Sequence, residues 1–384
     1  MTAQIDPFHA IALSRRAQEL KAQGRSIIAM HFGQPSTGAP PAAIAAAHHM
    51  LDTDPMGYSE NEALKARICQ HTRETHGVTL TPEQIILTAG ASPALVLALA
   101  TLFAPGARIA LARPGYVAYR NTLKALHMIP QEIPCGPQVR YQLTAAALAA
   151  LDPAPQGVII ASPANPTGTI IPADELKAIA EVCQARGIAV ISDEIYHGLH
   201  FEHPAASIAA HMPEALIINS FSKYWSMVGW RLGWLAVPEA LIEPARARMG
   251  NLFLTPPSLS QAAALVAMDC TSDLEAHRAT YARNRALLLE ALPSLGLTEI
   301  APPDGAFYLY ANVAHLTSDS QALAHQILED TGVALAPGRD FDPENGHKYL
   351  RFSFAVSTTE VEDAIARLRV WLAQHAAGKP SMSG

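Results

Sequence analysis

The chain has 384 residues, of which 49% are hydrophobic and 16% are charged, so it can bury a large core and is not expected to be disordered. Its formal net charge of −7 argues against a protein whose main partner is nucleic acid or an anionic membrane face. The longest strongly apolar stretch, residues 94–104, is too short to cross a bilayer. We therefore expect neither nucleic acid nor a membrane as a partner.

The amino-terminal residues and the cysteines bear on the cellular compartment. No basic stretch opens the chain and Asp6 comes early, which is not typical of a secretory signal. The 4 cysteines are far apart and form no CxxC pair, so neither a disulfide framework nor a zinc ribbon is indicated. These features favour a cytoplasmic location.

Short apolar segments in the middle of the chain predict strands at residues 84–88, 108–112, 157–161, 188–192, 215–219 and 232–237. Each segment is almost continuously apolar, which is typical of strands buried on both faces of a sheet. The clearest helical patterns between them cover residues 94–103 and 174–186, the second followed by Gly187 as a helix-ending glycine. This alternation predicts an α/β fold whose large domain has a mostly parallel sheet covered by helices.

The two terminal regions have a different pattern. Residues 1–44 contain a helix-like start and a Pro/Gly stretch, and from residue 285 a helix (285–292) precedes candidate strands at 305–310 and 349–354. A closing helix begins near Glu360. We interpret residues 1–44 and 285–384 as a smaller α+β domain built from both termini, and residues 45–284 as the large domain.

Polar residues that end the predicted strands are the first candidates for a site, because ligands bind beyond the carboxyl ends of parallel strands. In chain order these candidates are Ala91, Ser92, Tyr116, Asn165, Asp193, Tyr196, Ser220, Ser222, Lys223 and Arg231. A glycine turn that opens a helix at Ala91 offers free N–H groups to an anion. Two serines and an arginine could complete a phosphate site there.

The remaining candidates could bind the chemical groups of an aromatic aldehyde. Lys223 follows an apolar strand, and a partly desolvated lysine can form an imine with an aldehyde. Asp193 could hold a cationic ring nitrogen, Tyr196 and Asn165 a phenolic oxygen, and Tyr116 could stack on the ring. An aldehyde, a phosphate, a pyridine nitrogen and a hydroxyl on one ring describe pyridoxal 5′-phosphate.

The chain also resembles the class I (class I/II) pyridoxal-phosphate-dependent aminotransferases of the fold-type I superfamily. The segments that carry the resemblance are TAGAS (88–92), RPGYVAY (113–119), SPANPTG (162–168), SDEIYHGL (192–199), SFSKYWSMVGWRLGW (220–234), DGAFYLY (304–310) and RFSFA (351–355). Any one of them is a weak signal, but NPTG, DEIY and SFSK followed by an arginine are specific in this order and spacing.

The resemblance implies roles for the cofactor-binding candidates. Lys223 matches the lysine that forms the Schiff base and later moves the proton, and Asp193 matches the partner of the pyridinium nitrogen. Tyr196 and Asn165 match the partners of the ring oxygen, and Tyr116 the stacked aromatic ring. The backbone amides of Ala91 and Ser92 match groups that bind the phosphate, and so do Ser220, Ser222 and Arg231.

The substrate site and the quaternary structure are implied in the same way. Arg351 matches the arginine that takes the substrate α-carboxylate, with Gly33 and Asn165 beside it. Tyr58 matches a tyrosine that reaches the phosphate of the neighbouring subunit, although the segment after it is shorter than the family pattern. The resemblance thus implies a homodimer with shared active sites, and it suggests a cis bond between Asn165 and Pro166.

The implied activity is transfer of an amino group from an L-amino acid to a 2-oxo acid by a ping-pong mechanism. Some relatives that take aspartate carry a lysine where Ser92 stands, so an acidic donor is disfavoured and a neutral or aromatic donor is expected. Alanine, aromatic and branched-chain donors stay open, as do pyruvate and 2-oxoglutarate as acceptors.

Other functions remain as alternatives. A C–S β-lyase acting on sulfur amino acids would use the same scaffold and lysine. An aminotransferase-like sensor domain of a transcription regulator is disfavoured, because only about 40 residues precede the sheet and they show no basic helix-turn-helix pattern. His197, His200 and His203 are spaced like metal ligands, but they lack a carboxylate-and-histidine arrangement on one helical face, and we expect no metal.

Overall fold

Apolar segments of the chain become the strands of two sheets in a computed structural model, which describes residues 5–377. In chain order the strands are β1 (Ile28–Met30), β2 (Ile85–Thr88), β3 (Arg108–Arg113), β4 (Ile129–Pro134), β5 (Gly157–Ala161), β6 (Ala189–Asp193), β7 (Leu216–Ser220), β8 (Gly233–Ala236), β9 (Tyr308–Asn312), β10 (Val333–Pro337) and β11 (Tyr349–Ser353). The six strands predicted in the middle of the chain are confirmed as β2, β3, β5, β6, β7 and β8.

The large sheet has seven strands in the order β2-β8-β7-β6-β5-β3-β4. All neighbours are parallel except β8, which runs antiparallel to both β2 and β7. The edge strand β4 was not predicted, because Pro130 and Pro134 and two polar residues between them interrupt its apolar pattern. Proline is tolerated there because an edge strand has one side without ladder partners.

Helices cover both faces of the large sheet, and others, among them α1 (His9–Ala22), α11 (Ser320–Thr331) and α12 (Thr358–Ala377), pack against the small sheet. In chain order the helices are α1 (His9–Ala22), α2 (Pro41–Thr53), α3 (Glu62–His76), α4 (Ala91–Leu102), α5 (Val117–Ala125), α6 (Ala145–Ala149), α7 (Ala173–Arg186), α8 (Ile242–Leu252), α9 (Ser258–Ala267), α10 (Thr271–Ser294), α11 (Ser320–Thr331) and α12 (Thr358–Ala377). Along β2, Ile85 and Leu87 join one apolar cluster and Ile86 joins another. Successive strand residues point to opposite faces, so each face has its own core.

The helices predicted at 94–103 and 174–186 are confirmed as α4 and α7, and Gly187 ends α7 with a left-handed φ of 66°. The predicted helix 285–292 is the second half of α10, which runs without interruption across the boundary expected at residue 285. The domain limits therefore stay a prediction, and their outer ends lie outside the described residues. No helix within residues 5–377 has the length and hydropathy to span a membrane.

The small sheet combines both ends of the chain, as predicted. Its order is β1-β10-β11-β9, so the amino-terminal strand pairs in parallel with one of three carboxy-terminal strands. The predicted strand 305–310 begins later, at Tyr308, because Gly305 and Ala306 donate their N–H groups to Gly168 and Leu199 of the large domain. This contact joins the two domains beside the carboxyl ends of the large sheet.

Candidate active site

A cavity of about 250 Å³ lies where the carboxyl ends of the parallel strands face the small domain. The parallel register of β5, β6 and β7 brings the residues after each strand to the same edge. The cavity is lined by most of the predicted site residues, namely Gly33, Ala91, Ser92, Tyr116, Asn165, Asp193, Tyr196, Ser222, Lys223, Arg231 and Arg351. Of the predicted set, Ser220 and Tyr58 are not among the lining residues.

Lys223 is the amine of the cavity. It follows β7, and its Nζ donates to the carbonyl oxygen of Gly33 at 2.5 Å. The pKa of Lys223 is lowered to about 8, because burial disfavours the charged form and Arg351 repels it, while Asp193 partly opposes both effects. A lysine with this pKa has a large neutral fraction near pH 8 and can act as a nucleophile or a base.

Asp193 ends β6 and is 7% exposed. Its Oδ2 accepts a hydrogen bond from the Tyr119 hydroxyl at 2.7 Å, and its Oδ1 accepts one from the N–H of Ile195 at 3.2 Å. Burial raises the pKa of Asp193, and the two hydrogen bonds and the charge of Lys223 act against that rise. A buried carboxylate in this position can stabilise a cationic group that enters the cavity.

The start of α4 is a candidate anion site. The helix follows Gly90, which has a φ of 101° and provides no side-chain cap, so the first N–H groups are left for a ligand. A Cβ on Gly90 would lie 2.5 Å from Nη2 of Arg231, so glycine allows the guanidinium to approach. Arg231 donates to the carbonyl oxygens of Val228 and Ala89 at 2.9 and 3.3 Å.

Ser220 and Ser222 occupy two layers beside this anion site. Ser222 lines the cavity, whereas Ser220 is fully buried and donates to the carbonyl oxygen of Leu232 at 2.9 Å. The hydroxyl oxygens of Ser220 and Ser222 are 3.0 Å apart, within hydrogen-bond distance. In this arrangement Ser222 can contact an anion and Ser220 supports Ser222 from behind.

Tyr58 lies outside the cavity and is 83% exposed in the single chain. It belongs to the irregular segment between α2 and α3. Its predicted role at the phosphate of a neighbouring subunit stays a prediction.

Arg351 on β11 is a buried guanidinium held by neutral groups. Its Nη1 donates to Oδ1 of Asn165 at 2.8 Å and its Nη2 donates to the carbonyl oxygen of His31 at 2.6 Å. Its Nε is buried and has no hydrogen-bond partner among the described residues. A buried arginine held only by neutral groups is suited to a carboxylate ligand. The cis bond predicted between Asn165 and Pro166 is confirmed.

Two tyrosines of the site were not assigned from the sequence. Tyr119 donates to Asp193, and Tyr308 forms a hydroxyl–hydroxyl hydrogen bond of 2.7 Å with Tyr196. A Cβ on Gly33 would lie 2.1 Å from the Tyr308 hydroxyl, so this tyrosine also requires the glycine. The short spacing between Tyr116 and Tyr119 could have revealed Tyr119, because their ring centroids lie 5.5 Å apart at the start of α5.

The histidines spaced like metal ligands in the sequence, His197, His200 and His203, do not form a cluster with one another among the described residues. His197 is buried and His203 is exposed. His197 instead groups with His76 and Glu194, and its Nδ1 lies 3.0 Å from Nε2 of His76. This distance suits a hydrogen bond and is shorter than the roughly 3.3 Å between two nitrogens on a tetrahedral zinc ion. Hydrogen bonding explains the cluster, and the expected lack of a metal stays a prediction.

The comparisons with known proteins agree with this geometry. The chain matches the family model for aminotransferases of class I and II over residues 25–368, and it belongs to that family. It is therefore an aminotransferase, an enzyme that moves an amino group from an amino acid to a 2-oxo acid.

Relatives and solved structures extend over nearly the whole chain. A valine–pyruvate aminotransferase of Mycobacterium tuberculosis is 44% identical and covers 97% of this chain and 98% of its own length. An aspartate aminotransferase of Geobacillus stearothermophilus is 31% identical, with coverage of 95% and 96%. The crystal structure of an aminotransferase from Mycobacterium tuberculosis aligns with a TM-score of 0.95 at 43% identity, over 97% of this chain and 98% of that chain.

Proposed function

We propose that the chain is a pyridoxal 5′-phosphate enzyme that transaminates neutral amino acids, with valine and pyruvate as the leading substrate pair. The observation that carries the proposal is the convergence of a buried lysine amine, a buried carboxylate and a buried arginine on one cavity. The alternative, a C–S β-lyase, has no support among the relatives reported above.

The polar groups of the cavity fit this cofactor. Arg231, Ser222 and the start of α4 offer donors for a phosphate, and Asp193 is a buried carboxylate for a pyridinium nitrogen. Asn165 and Tyr196 lie on the same cavity as partners for the ring oxygen, and Tyr116, Ala91 and Ser92 complete the lining of the proposed cofactor site. Ser220 belongs to the site through Ser222, which it supports from behind. When bound, pyridoxal phosphate supplies an aldehyde that captures amines and a ring that withdraws electrons from the substrate α-carbon.

Lys223 carries the chemistry of the chain itself. As a neutral amine Lys223 accepts the proton from the α-carbon of the substrate. As an ammonium it returns a proton to the aldehyde carbon of the cofactor. A pKa of about 8 keeps both forms accessible under mild conditions. Asp193 holds a proton on the ring nitrogen by its negative charge, which favours electron withdrawal at the reacting carbon.

Arg351 orients the substrate. Its guanidinium is fixed by Asn165 and by the carbonyl oxygen of His31, so a carboxylate bound to it takes a defined position beside Lys223 and Gly33. Because the cavity has one such arginine, donor and acceptor use the same carboxylate site in turn. This is the structural basis for the proposed ping-pong order.

The walls of the cavity favour a neutral donor. Among its lining residues the only lysines and arginines are Lys223, Arg231 and Arg351. We assign the first two to the cofactor and the third to the α-carboxylate, so an acidic side chain would find no second cation among the residues that this one chain contributes to the cavity. The rest of the wall includes Phe8, Phe32, Leu95, Ile195 and Val228.

Single half-reactions test this proposal. The holoprotein is mixed separately with valine, alanine, phenylalanine and aspartate, and the absorbance change of the cofactor is followed in one turnover. We expect valine to react fastest and aspartate slowest, and pyruvate to restore the starting spectrum. A fastest reaction with aspartate would overturn the donor class, and steady release of thiol and pyruvate from cystathionine without amino transfer would favour the β-lyase.

We also propose a homodimer with shared active sites. Tyr58 is exposed, and so are the apolar side chains of Leu51 and Met56 in the same stretch of the chain. Buried against a second copy, these side chains would lose their contact with water. Sedimentation of the holoprotein should give twice the mass of the chain, and a monomer would contradict the proposal.

A cytoplasmic location is the last part of the proposal. It is supported by the four cysteines, which are all free in the described part of the chain. Cell fractionation with antibody detection would test it directly.

A further inference from the structure

The segment before the first helix forms part of the active-site wall. Phe8 lines the cavity and packs against the cluster of Tyr310 and Phe341. Directly after it, the N–H groups of His9 and Ala10 donate to the carboxylate of Asp340 at 2.8 and 2.9 Å. Phe8 is thus attached to the small domain on its carboxyl-terminal side.

On its other side the segment is attached to the large domain through α5. Oδ2 of Asp6 accepts hydrogen bonds from Nζ of Lys124 at 2.8 Å and from Nε of Arg120 at 3.4 Å. The Asp6 carbonyl oxygen accepts a third bond from Asn121 at 3.1 Å. The bond from Lys124 lowers the pKa of Asp6, so the carboxylate is ionised at neutral pH. We call residues 6–8 the strap.

Helix α5 has two functions in this arrangement. Ala118, Tyr119 and Thr122 line the cavity, and Arg120, Asn121 and Lys124 hold the strap. Because both sets belong to one short helix, the position of Phe8 is set relative to the same element that forms the adjacent cavity wall. Several lining residues are assigned neither to the cofactor nor to the α-carboxylate, and Phe8, Ala118 and Thr122 are the ones among them that belong to the strap and to α5. We take these three as the residues that contact the donor side chain.

We propose that the strap determines donor specificity, with Asp6 as the positioning residue and Phe8 as the wall that limits the size of the donor side chain. The inference rests on the proposed function, because it concerns the donor pocket of that enzyme. Phe8 excludes bulky aromatic donors by occupying the space their rings need. Asp6 acts only through Phe8, by holding the strap on α5.

Two variants test the proposal by steady-state kinetics with valine and phenylalanine as donors. Phe8→Ala should raise the kcat/KM of phenylalanine relative to that of valine by roughly ten-fold or more, because the pocket gains space. Asp6→Asn should raise the KM for valine a few-fold with little change in kcat, the size expected from a partly exposed ion pair. Added salt should raise the KM of the wild type by a larger factor than that of Asp6→Asn, because only the wild type also has the Asp6–Lys124 ion pair to screen.

A matched control and a measurement without turnover complete the test. Glu214→Gln removes an exposed carboxylate elsewhere on the surface and should leave both donors unaffected. Hydrogen exchange of the holoprotein should be faster in Asp6→Asn than in the wild type for peptides that cover residues 5–13.

The outcomes separate the two proposals. If both variants keep the wild-type ratio of kcat/KM for phenylalanine to that for valine, and hydrogen exchange is unchanged in Asp6→Asn, the strap proposal is wrong and the proposed function stands. A wild type that transfers no amino group from any donor would overturn the proposed function and the strap with it.

Discussion

The hydrogen bond from Tyr119 to Asp193 offers a sharp test of how the carboxylate is tuned. Tyr119→Phe removes the hydroxyl that donates to Oδ2 at 2.7 Å and leaves only the N–H of Ile195 on this carboxylate. A hydrogen bond to a charged group contributes about 1.5–3 kcal/mol, which corresponds to a factor of roughly 10 to 150. Burial already raises the pKa of Asp193, and loss of a donor to the ionised form raises that pKa further.

The assay measures cofactor affinity and the valine half-reaction at several pH values. We expect Tyr119→Phe to weaken pyridoxal phosphate binding and to slow the half-reaction by about ten- to a hundred-fold. Because the reaction needs the ionised carboxylate, the acidic limb of the pH profile should move to higher pH. Tyr116→Phe is the control, since it removes a hydroxyl from the same wall and leaves both donors of Asp193 in place. Equal behaviour of the two variants would refute the reasoning.

Three further changes probe other parts of the site. Arg351→Lys replaces the planar guanidinium group that Asn165 and His31 orient, so kcat/KM for valine should fall by about a hundred-fold or more. A wild-type kcat/KM would contradict the proposed role of Arg351 in substrate binding. Gly33→Ala places a Cβ 2.1 Å from the Tyr308 hydroxyl, so a denaturant titration should show a free energy of unfolding lower by about 1–3 kcal/mol. Gly38→Ala is the control and should leave this free energy unchanged, because nothing lies within 4 Å of its Cβ. The pKa of Lys223 is about 8 and only the neutral amine reacts, so the rate at which the apoprotein captures pyridoxal phosphate should rise about ten-fold from pH 7 to pH 9 and then level off. A rate that still rises ten-fold per pH unit at pH 9 would indicate a lysine with an ordinary pKa.

The strands of the large sheet could be predicted because burial on both faces leaves an apolar run that needs no knowledge of its partners. The edge strand β4 could not, since its prolines and polar residues are compatible with an edge but not with a buried strand. The start of β9 was misplaced because the backbone at Gly305 and Ala306 is held by the large domain, a contact between residues far apart in sequence.

The residues of the candidate site could also be predicted only in part. Asp193 directly follows a predicted strand, and Asn165 and Lys223 lie in the short segments after two others, so the topology of a parallel sheet was enough to bring them together. Tyr308 and Phe8 come from the small domain and from the amino-terminal segment, and their places in the cavity depend on how the domains pack. Local sequence carries no signal for such contacts.

The central claim is that the Lys223 amine is the point of attachment of the cofactor, and peptide mapping after borohydride reduction tests it most directly. The wild-type holoprotein, reduced and digested, should carry the mass of reduced pyridoxal phosphate on the peptide that contains Lys223, and Lys223→Ala should carry none. The label on another lysine of the wild type, or its persistence in Lys223→Ala, would contradict the account.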